Sequence, residues 1–190
     1  VNVEAIPFDV LEAGITWDWE TFPQYMEAAQ RRKPALNLAF LAPLTPFRHY
    51  VMGEASMERA ATAAETSEIA ALLGRAIDAG AFGWSSTLLN QHMGYGGRPL
   101  ACRNASREEL KAYCNALRSR GKGAIEIAMT RQLGVMDEPE LELLDFMLAE
   151  SGRPITFIAM FDRDDISEAV RTSLLVGLSL LGAYLSALTM

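Results

Sequence analysis

Residues Asp78–Ser85 read DAGAFGWS, so the polar end of a helix is followed by a glycine and at once by an apolar strand. The same order recurs in Ser119–Ile127 (SRGKGAIEI) and in Glu150–Ile158 (ESGRPITFI). Repeated alternation of helix and strand is typical of parallel α/β sheets. In such folds the functional residues follow the carboxyl ends of the strands.

The apolar runs predict four strands, at residues 35–41, 81–85, 124–129 and 155–160. The first run is almost wholly apolar, which predicts a strand covered on both faces. Polar residues of the capping type precede four predicted helices, namely Thr21, Thr62, Ser106 and Asp137. The chain therefore has about four strand-plus-helix units. Because a closed eight-stranded barrel needs about 250 residues, these units form either part of a barrel or a small open sheet.

Composition limits the class of partner. The chain has 190 residues, of which 22% are charged, and a formal net charge of -7. This acidic balance argues against nucleic acid as a partner, because phosphate binding needs a basic face. The two cysteines, Cys102 and Cys114, are expected to be free thiols, which fits a reducing, cytoplasmic location.

The tail from residue 172 to residue 190 contains no charged residue. A membrane span is not favoured, because serine, threonine and glycine dilute the apolar run and no basic anchor follows it. A buried strand-helix element and a truncated or aberrant terminus remain as alternatives. We therefore assign residues 1–171 to the predicted domain and treat residues 172–190 as a distinct tail.

A long loop is predicted at residues 86–104, directly after the second strand. Loops of this length in compact domains are usually functional or disordered. It holds His92, Tyr95 and Arg98, followed by a predicted helix. The preceding Ser85–Thr87 stretch lacks the glycines of a nucleophile elbow, so nucleophilic catalysis is not expected. The other histidine, His49, is expected on a short helix with a partly exposed side chain.

Several blocks, taken in order, resemble one enzyme family. Trp17–Met26 (WDWETFPQYM) is similar to the WDWETFPEYL block of N-acyl-D-amino-acid deacylases, the D-aminoacylase branch of the amidohydrolase superfamily. Residues 48–54 (RHYVMGE) and 59–62 (RAAT) also resemble stretches of that family, and Asp78–Ser85 resembles its DAGALGFSTS segment. Gly97–Pro99 and Ala105–Leu110 (ASREEL) fit its GRPVP…ASREEL segment. The resemblance covers about residues 5 to 165.

The resemblance implies a metal-dependent (β/α)8 TIM barrel that hydrolyses the amide bond of an N-acyl-D-amino acid. In such enzymes one or two zinc-like divalent ions activate the attacking water. The family's His-x-His and other ligand motifs are not recognisable in this sequence, so no metal is expected on this chain. Leu44 stands where the family often has a histidine after the first apolar strand. The chain is thus expected to be a central part of the barrel and inactive alone.

The resemblance also implies roles for the long loop. A substrate of this class carries a carboxylate, which Arg98 is expected to clamp in bidentate fashion. His92 and Tyr95 are expected to contact the same substrate, and the glycines around Tyr95 suggest a flexible lid.

Two hypotheses for function remain open. The first is the hydrolase, with an N-acyl amino acid as its small-molecule substrate. The alternative is a catalytically dead, degenerate relative that serves as a binding or scaffold protein, in a free or a membrane-associated form. Because a partial barrel leaves a strand edge uncovered, the isolated chain is expected to self-associate.

Overall fold

The structure, a computed structural model, describes residues 6–129 and 136–158. They form a mixed α/β arrangement in which a parallel sheet is packed against helices. The helices are α1 (Phe8–Gly14), α2 (Phe22–Arg31), α3 (Leu44–Met52), α4 (Ala63–Asp78), α5 (Arg107–Arg118) and α6 (Glu138–Ser151). The strands are β1 (Leu41–Pro43), β2 (Gly83–Thr87), β3 (Ala124–Ala128) and β4 (Ile155–Ile158). Short 3-10 helices span Gly53–Met57, Tyr95–Gly97 and Ala101–Asn104.

The four strands lie side by side in the order of the chain, β1-β2-β3-β4, and every pair is parallel. The first pair brings Pro43 opposite Ser85, and the next two pairs align Ser85 with Glu126 and Glu126 with Thr156. Crossovers between parallel strands are right-handed, so a sheet that grows in one direction receives its helices on one face. The predicted α/β class is therefore confirmed as a four-stranded parallel sheet with helices, an arrangement that is compatible with partial βα units.

The hydrophobic core lies between the helices and one face of the sheet. Ala42, Trp84 and Ile125 align across three strands on that face, and each has no exposed surface. They pack with α4 and α5, whose inward side chains include Leu73 and Leu117. Period-two alternation places the neighbouring residues, including Glu126, on the opposite face. Glu126 is half-buried and does not belong to the core.

The four predicted capping residues begin their helices as expected. The side chains of Thr21, Thr62, Ser106 and Asp137 each accept a hydrogen bond from the backbone N–H three residues later. In every case the side chain at that later position returns a bond to the capping backbone, which completes a capping box. These boxes set where each helix of the units begins.

Two glycines are required by the turns that join helix to strand. Gly83 opens β2 at φ 155°, and a Cβ there would lie 1.8 Å from the carbonyl oxygen of Ala124 on the neighbouring strand. Gly152 ends α6 in the left-handed region at φ 57°. Only glycine adopts both conformations without strain, which explains the repeated glycines.

The prediction of a doubly covered first strand at residues 35–41 is wrong. Strand β1 begins only at Leu41, and Leu36 and Leu38 are 78% and 51% exposed. After β1 the chain passes directly into α3, which starts at Leu44. Within the described residues β1 pairs with β2 alone, and the apolar run before β1 is not buried against a helix on either face. An apolar run alone does not distinguish an edge from a central strand.

The remaining bounds differ slightly from the prediction. β2 lies two residues later than expected, at Gly83–Thr87, and β3 matches residues 124–128. β4 is described from Ile155 to Ile158. The tail 172–190 lies outside the described residues. None of the helices in 6–129 and 136–158 has the length and apolar character needed to cross a bilayer.

Candidate functional site

Thr87 and His92 are joined at the carboxyl end of β2. The hydroxyl oxygen of Thr87 lies 2.9 Å from Nδ1 of His92. The same hydroxyl accepts the backbone N–H of Leu89 at 3.2 Å. Thr87 is the last residue of the strand and is only 8% exposed, whereas His92 is half-buried. The imidazole is thus attached to the rigid end of the sheet.

Arg98 lies in a small closed turn after His92. The turn is closed by an antiparallel bridge between Met93 and Pro99 and by the bond from the Gly94 N–H to the Arg98 carbonyl, at 2.7 Å. The guanidinium of Arg98 contacts the carboxylates of Glu54 at 2.5 Å and Glu58 at 3.2 Å. These ion pairs tie the turn to the segment after α3.

This arrangement bears on the expected substrate clamp. Both terminal nitrogens of Arg98 face glutamate carboxylates, and the side chain is still about a third exposed. A substrate carboxylate would therefore exchange with Glu54 or Glu58 at a guanidinium that is already well oriented. The clamp stays a prediction. Tyr95 begins the 3-10 segment Tyr95–Gly97 of the same turn, so the backbone carries all three predicted residues in one loop.

A buried ion pair supports the base of this loop. Arg48 on α3 pairs with Glu109 on α5, and neither side chain has exposed surface. Arg48 also donates to the Ala101 carbonyl at 2.8 Å and to the Arg59 carbonyl at 3.0 Å. The Glu109 carboxylate accepts the hydroxyl of Tyr113 at 2.8 Å. The loop following β2 is therefore anchored where it returns to the helices.

Burial shifts the ionisation of this network. Removal from water lowers the pKa of Arg48 and raises the pKa of Tyr113. Arginine remains charged despite such a shift, and its partners in the network keep that charge compensated. The network was not predicted, because Ser106–Glu109 reads as an ordinary capping box. Glu109 belongs to both the capping box and the buried ion pair. One carboxylate oxygen contacts Arg48 and Tyr113, and the other accepts the backbone N–H groups of Ser106 and Ala61.

A cavity of about 190 Å³ lies between the sheet and the starts of α5 and α6. Its lining includes Ser86 and Ile127 from the sheet and Cys102, Arg103 and Arg107 from the return of the loop. The thiol of Cys102 lies 3.6 Å from the Thr87 carbonyl oxygen. Cys102 and Cys114 are both free and buried, as predicted for free thiols. Burial raises the pKa of Cys114 to about 12, which keeps this thiol protonated and unreactive.

One polar row was missed at the sequence level. Ser85, Glu126 and Thr156 are in register on the sheet face away from the core, and Glu126 is at the middle of β3. The apolar neighbours of Glu126 made the strand read simply as buried. Its alternation, in which Glu126 stands between Ile125 and Ile127, is the signal that identifies a second, more polar face.

The described residues do not fit a metal centre. In 6–129 and 136–158, no three histidine, cysteine, aspartate or glutamate side chains lie together so as to hold a metal ion. His49 lies on α3 with an exposed side chain, and its Nδ1 is 3.4 Å from the Ser56 hydroxyl.

Comparison of the chain with protein-family models, with curated proteins and with solved structures found no match.

Proposed function

We propose that this chain supplies four βα units to a (β/α)8 barrel that hydrolyses the amide bond of N-acyl-D-amino acids. The observation that carries the proposal is the strand order, β1-β2-β3-β4, in which all pairs are parallel and all connections advance in one direction. The ordered blocks that resemble the D-aminoacylases give the proposal its substrate class.

The strand order supports one of the two common parallel architectures over the other. A doubly wound sheet reverses its direction at a switch point and carries helices on both faces. A barrel advances in one direction, with helices outside and side chains from alternate positions inside. Within the described residues the sheet has no reversal, and Trp84 and Ile125 face the helices. This favours a section of barrel wall.

The second face of the sheet then becomes the barrel interior. The row that contains Ser85, Glu126 and Thr156 would point inward, below the carboxyl ends of the strands. Thr87 lies one inward position closer to that end and contacts His92. In barrel enzymes the substrate lies at this end, among the loops that follow the strands. This position supports the proposal that the loop with His92 and Arg98 contacts the substrate.

The role of the described residues is binding and orientation. Arg98 would take the substrate carboxylate in exchange for one of its two glutamate partners, and His92 would contact a substrate oxygen. Metal-activated water is the reagent that the family resemblance implies, and no step is assigned to the described residues beyond substrate contact. Their contribution is to hold the acyl-amino acid in one orientation.

The test measures release of the free amino acid from paired N-acetyl-D- and N-acetyl-L-amino acids. The protein should be expressed from its complete reading frame and assayed with and without added zinc. We expect hydrolysis of D substrates and little or none of their L enantiomers. The absence of hydrolysis across a broad D-amino-acid panel in the presence of zinc would overturn the proposal. A protein that binds these substrates without cleaving them would instead support the degenerate binding protein.

A further inference from the structure

We propose that Thr87 is a positioning residue that fixes His92 as a hydrogen-bond donor, through its Nε2–H, to an oxygen atom of the substrate. This inference rests on the proposed function and assigns a specific task within the same site. On this basis His92 recognises a carbonyl or carboxylate oxygen, and it acts neither as a metal ligand nor as a proton acceptor.

The direction of the hydrogen bond follows from the partners of the Thr87 hydroxyl. This hydroxyl has one proton to donate, and its oxygen already accepts the Leu89 N–H at 3.2 Å. Its remaining neighbour is Nδ1 of His92 at 2.9 Å. The oxygen has a second lone pair, but accepting from Nδ1–H would leave the hydroxyl proton without a partner among the described residues, so Thr87 is assigned as the donor to Nδ1. A neutral imidazole that accepts at Nδ1 carries its proton on Nε2.

The support for Thr87 is rigid. Thr87 is aligned with Ala128 on β3, and the N–H of the following residue, Leu88, donates to the Ala128 carbonyl at 2.8 Å. The Thr87 carbonyl lies 3.6 Å from the Cys102 thiol, where the loop returns. Because the strand end and the loop return are both fixed, the hydroxyl can orient the ring instead of following it. A bond from the opposite ring nitrogen is the usual means by which a protein selects a histidine tautomer.

The tautomer determines what His92 can bind. With Nδ1 accepting from Thr87 and a proton on Nε2, the free edge of the ring is a donor without a lone pair. Metal coordination and proton abstraction both need that lone pair. An oxygen acceptor is the complementary partner, and an N-acyl amino acid offers two kinds, the acyl carbonyl and the carboxylate. Arg98, in the same loop, provides the positive charge that would pair with the substrate carboxylate.

The experiment reads the ring nitrogens of His92 directly. The histidines are labelled with nitrogen-15, and NMR at a pH where imidazole is neutral distinguishes the two tautomers. The signal that disappears in His92→Gln is assigned to His92. We expect the Nε2–H tautomer in the wild-type protein. Thr87→Val should lose this preference, and Thr87→Ser should restore it because it keeps the hydroxyl. Thr66→Val makes the same chemical change on α4 and should leave the spectrum unchanged.

The spectroscopic result does not depend on catalysis, so it separates this inference from the proposed function. A wild-type His92 in the Nδ1–H form would overturn it without any variant, even if Thr87→Val fails to fold. An unchanged tautomer in a folded Thr87→Val protein would overturn it as well. If the hydrolase activity is found, Thr87→Val should raise KM by about threefold to tenfold with little change in kcat. An equal loss in kcat with unchanged KM would contradict the donor role.

Discussion

The guanidinium of Arg48 and the carboxylate of Glu109 form an ion pair from which water is fully excluded, with no exposed surface on either side chain. The pair joins α3 to α5, and the same two side chains bind backbone groups of two further segments, at residues 59–61 and at Ala101. It therefore fixes the helical layer on which the candidate substrate loop rests.

Removal of one member of this pair should be costly. We expect Glu109→Gln to lower the free energy of unfolding by about 3–5 kcal/mol, because Arg48 would keep its buried charge without a counterion. Urea denaturation measures the change. Asp78→Asn breaks the exposed pair with Arg120 and should cost no more than about 1 kcal/mol. An equal loss of unfolding free energy in Glu109→Gln and Asp78→Asn would show that burial does not determine how much the Arg48–Glu109 pair stabilises the fold.

The capping box of α4 predicts an acid-dependent loss of stability. The Arg59 guanidinium, followed by the backbone N–H and hydroxyl of Thr62, lowers the pKa of Glu65 from 4.5 to about 2. Because the folded-state pKa lies below the unfolded-state value, the contribution is complete above pH 4.5 and is lost as the pH falls toward 2. Glu65→Gln should lower the free energy of unfolding at pH 7 by about 1 kcal/mol.

The pH series provides the decisive comparison for Glu65. The difference between wild type and Glu65→Gln should shrink steadily from pH 4.5 to pH 2, as followed by denaturant unfolding. Glu68→Gln alters an exposed carboxylate on the same helix and serves as the control. A difference that stays constant over this range would mean that ionisation of Glu65 does not contribute.

The clamp role of Arg98 predicts opposite effects for two kinds of substitution. Arg98→Ala should raise KM for N-acyl-D-amino acids by about 10-fold to 100-fold, because a charge-assisted bond to the substrate is lost. Glu54→Gln combined with Glu58→Gln should lower KM, since two competing carboxylates are removed from the guanidinium. Steady-state kinetics on the active protein measures both. Arg120→Ala, at the opposite end of the sheet, is the matched arginine control. An unchanged KM in Arg98→Ala would contradict the clamp role of Arg98.

The edge at β1 predicts self-association of the 190-residue chain. In residues 6–129 and 136–158, β1 pairs with β2 alone, and Leu36 and Leu38 beside it are largely exposed. Such edges recruit further strands. We expect oligomers or aggregates at micromolar concentration by light scattering coupled to size-exclusion chromatography. Leu36→Lys together with Leu38→Lys should reduce the association, since charged side chains protect sheet edges. A monodisperse wild-type monomer would count against an open partial barrel.

Local chemistry made most of the fold predictable. Thr62 and Ser106 begin helices because their side chains satisfy free N–H groups, and this depends only on the next three residues. Gly83 and Gly152 mark strand starts and helix ends because their backbone conformations exclude other residues. The error at residues 35–41 has a different origin. Whether an apolar run is covered depends on elements that are distant in the sequence, and Leu36 and Leu38 stay exposed among the residues that the structure describes.

The candidate site was only partly predictable for the same reason. His92, Tyr95 and Arg98 were identified because they share one loop after one strand. Their partners lie elsewhere, since Glu54 and Glu58 follow α3, and Thr87 was considered only as a nucleophile. Contacts between separate segments are set by tertiary packing, which no local pattern reports.

The consecutive strand order also has a consequence for biosynthesis. Each strand pairs with the one made just before it, so a unit can dock as soon as its helix and strand have left the ribosome. Domains fold largely in the order of synthesis, and short-range pairing makes such folding fast. During synthesis the outer edge of the newest strand has no partner until the next strand is made. The nascent protein therefore needs protection at that edge until the next unit leaves the ribosome.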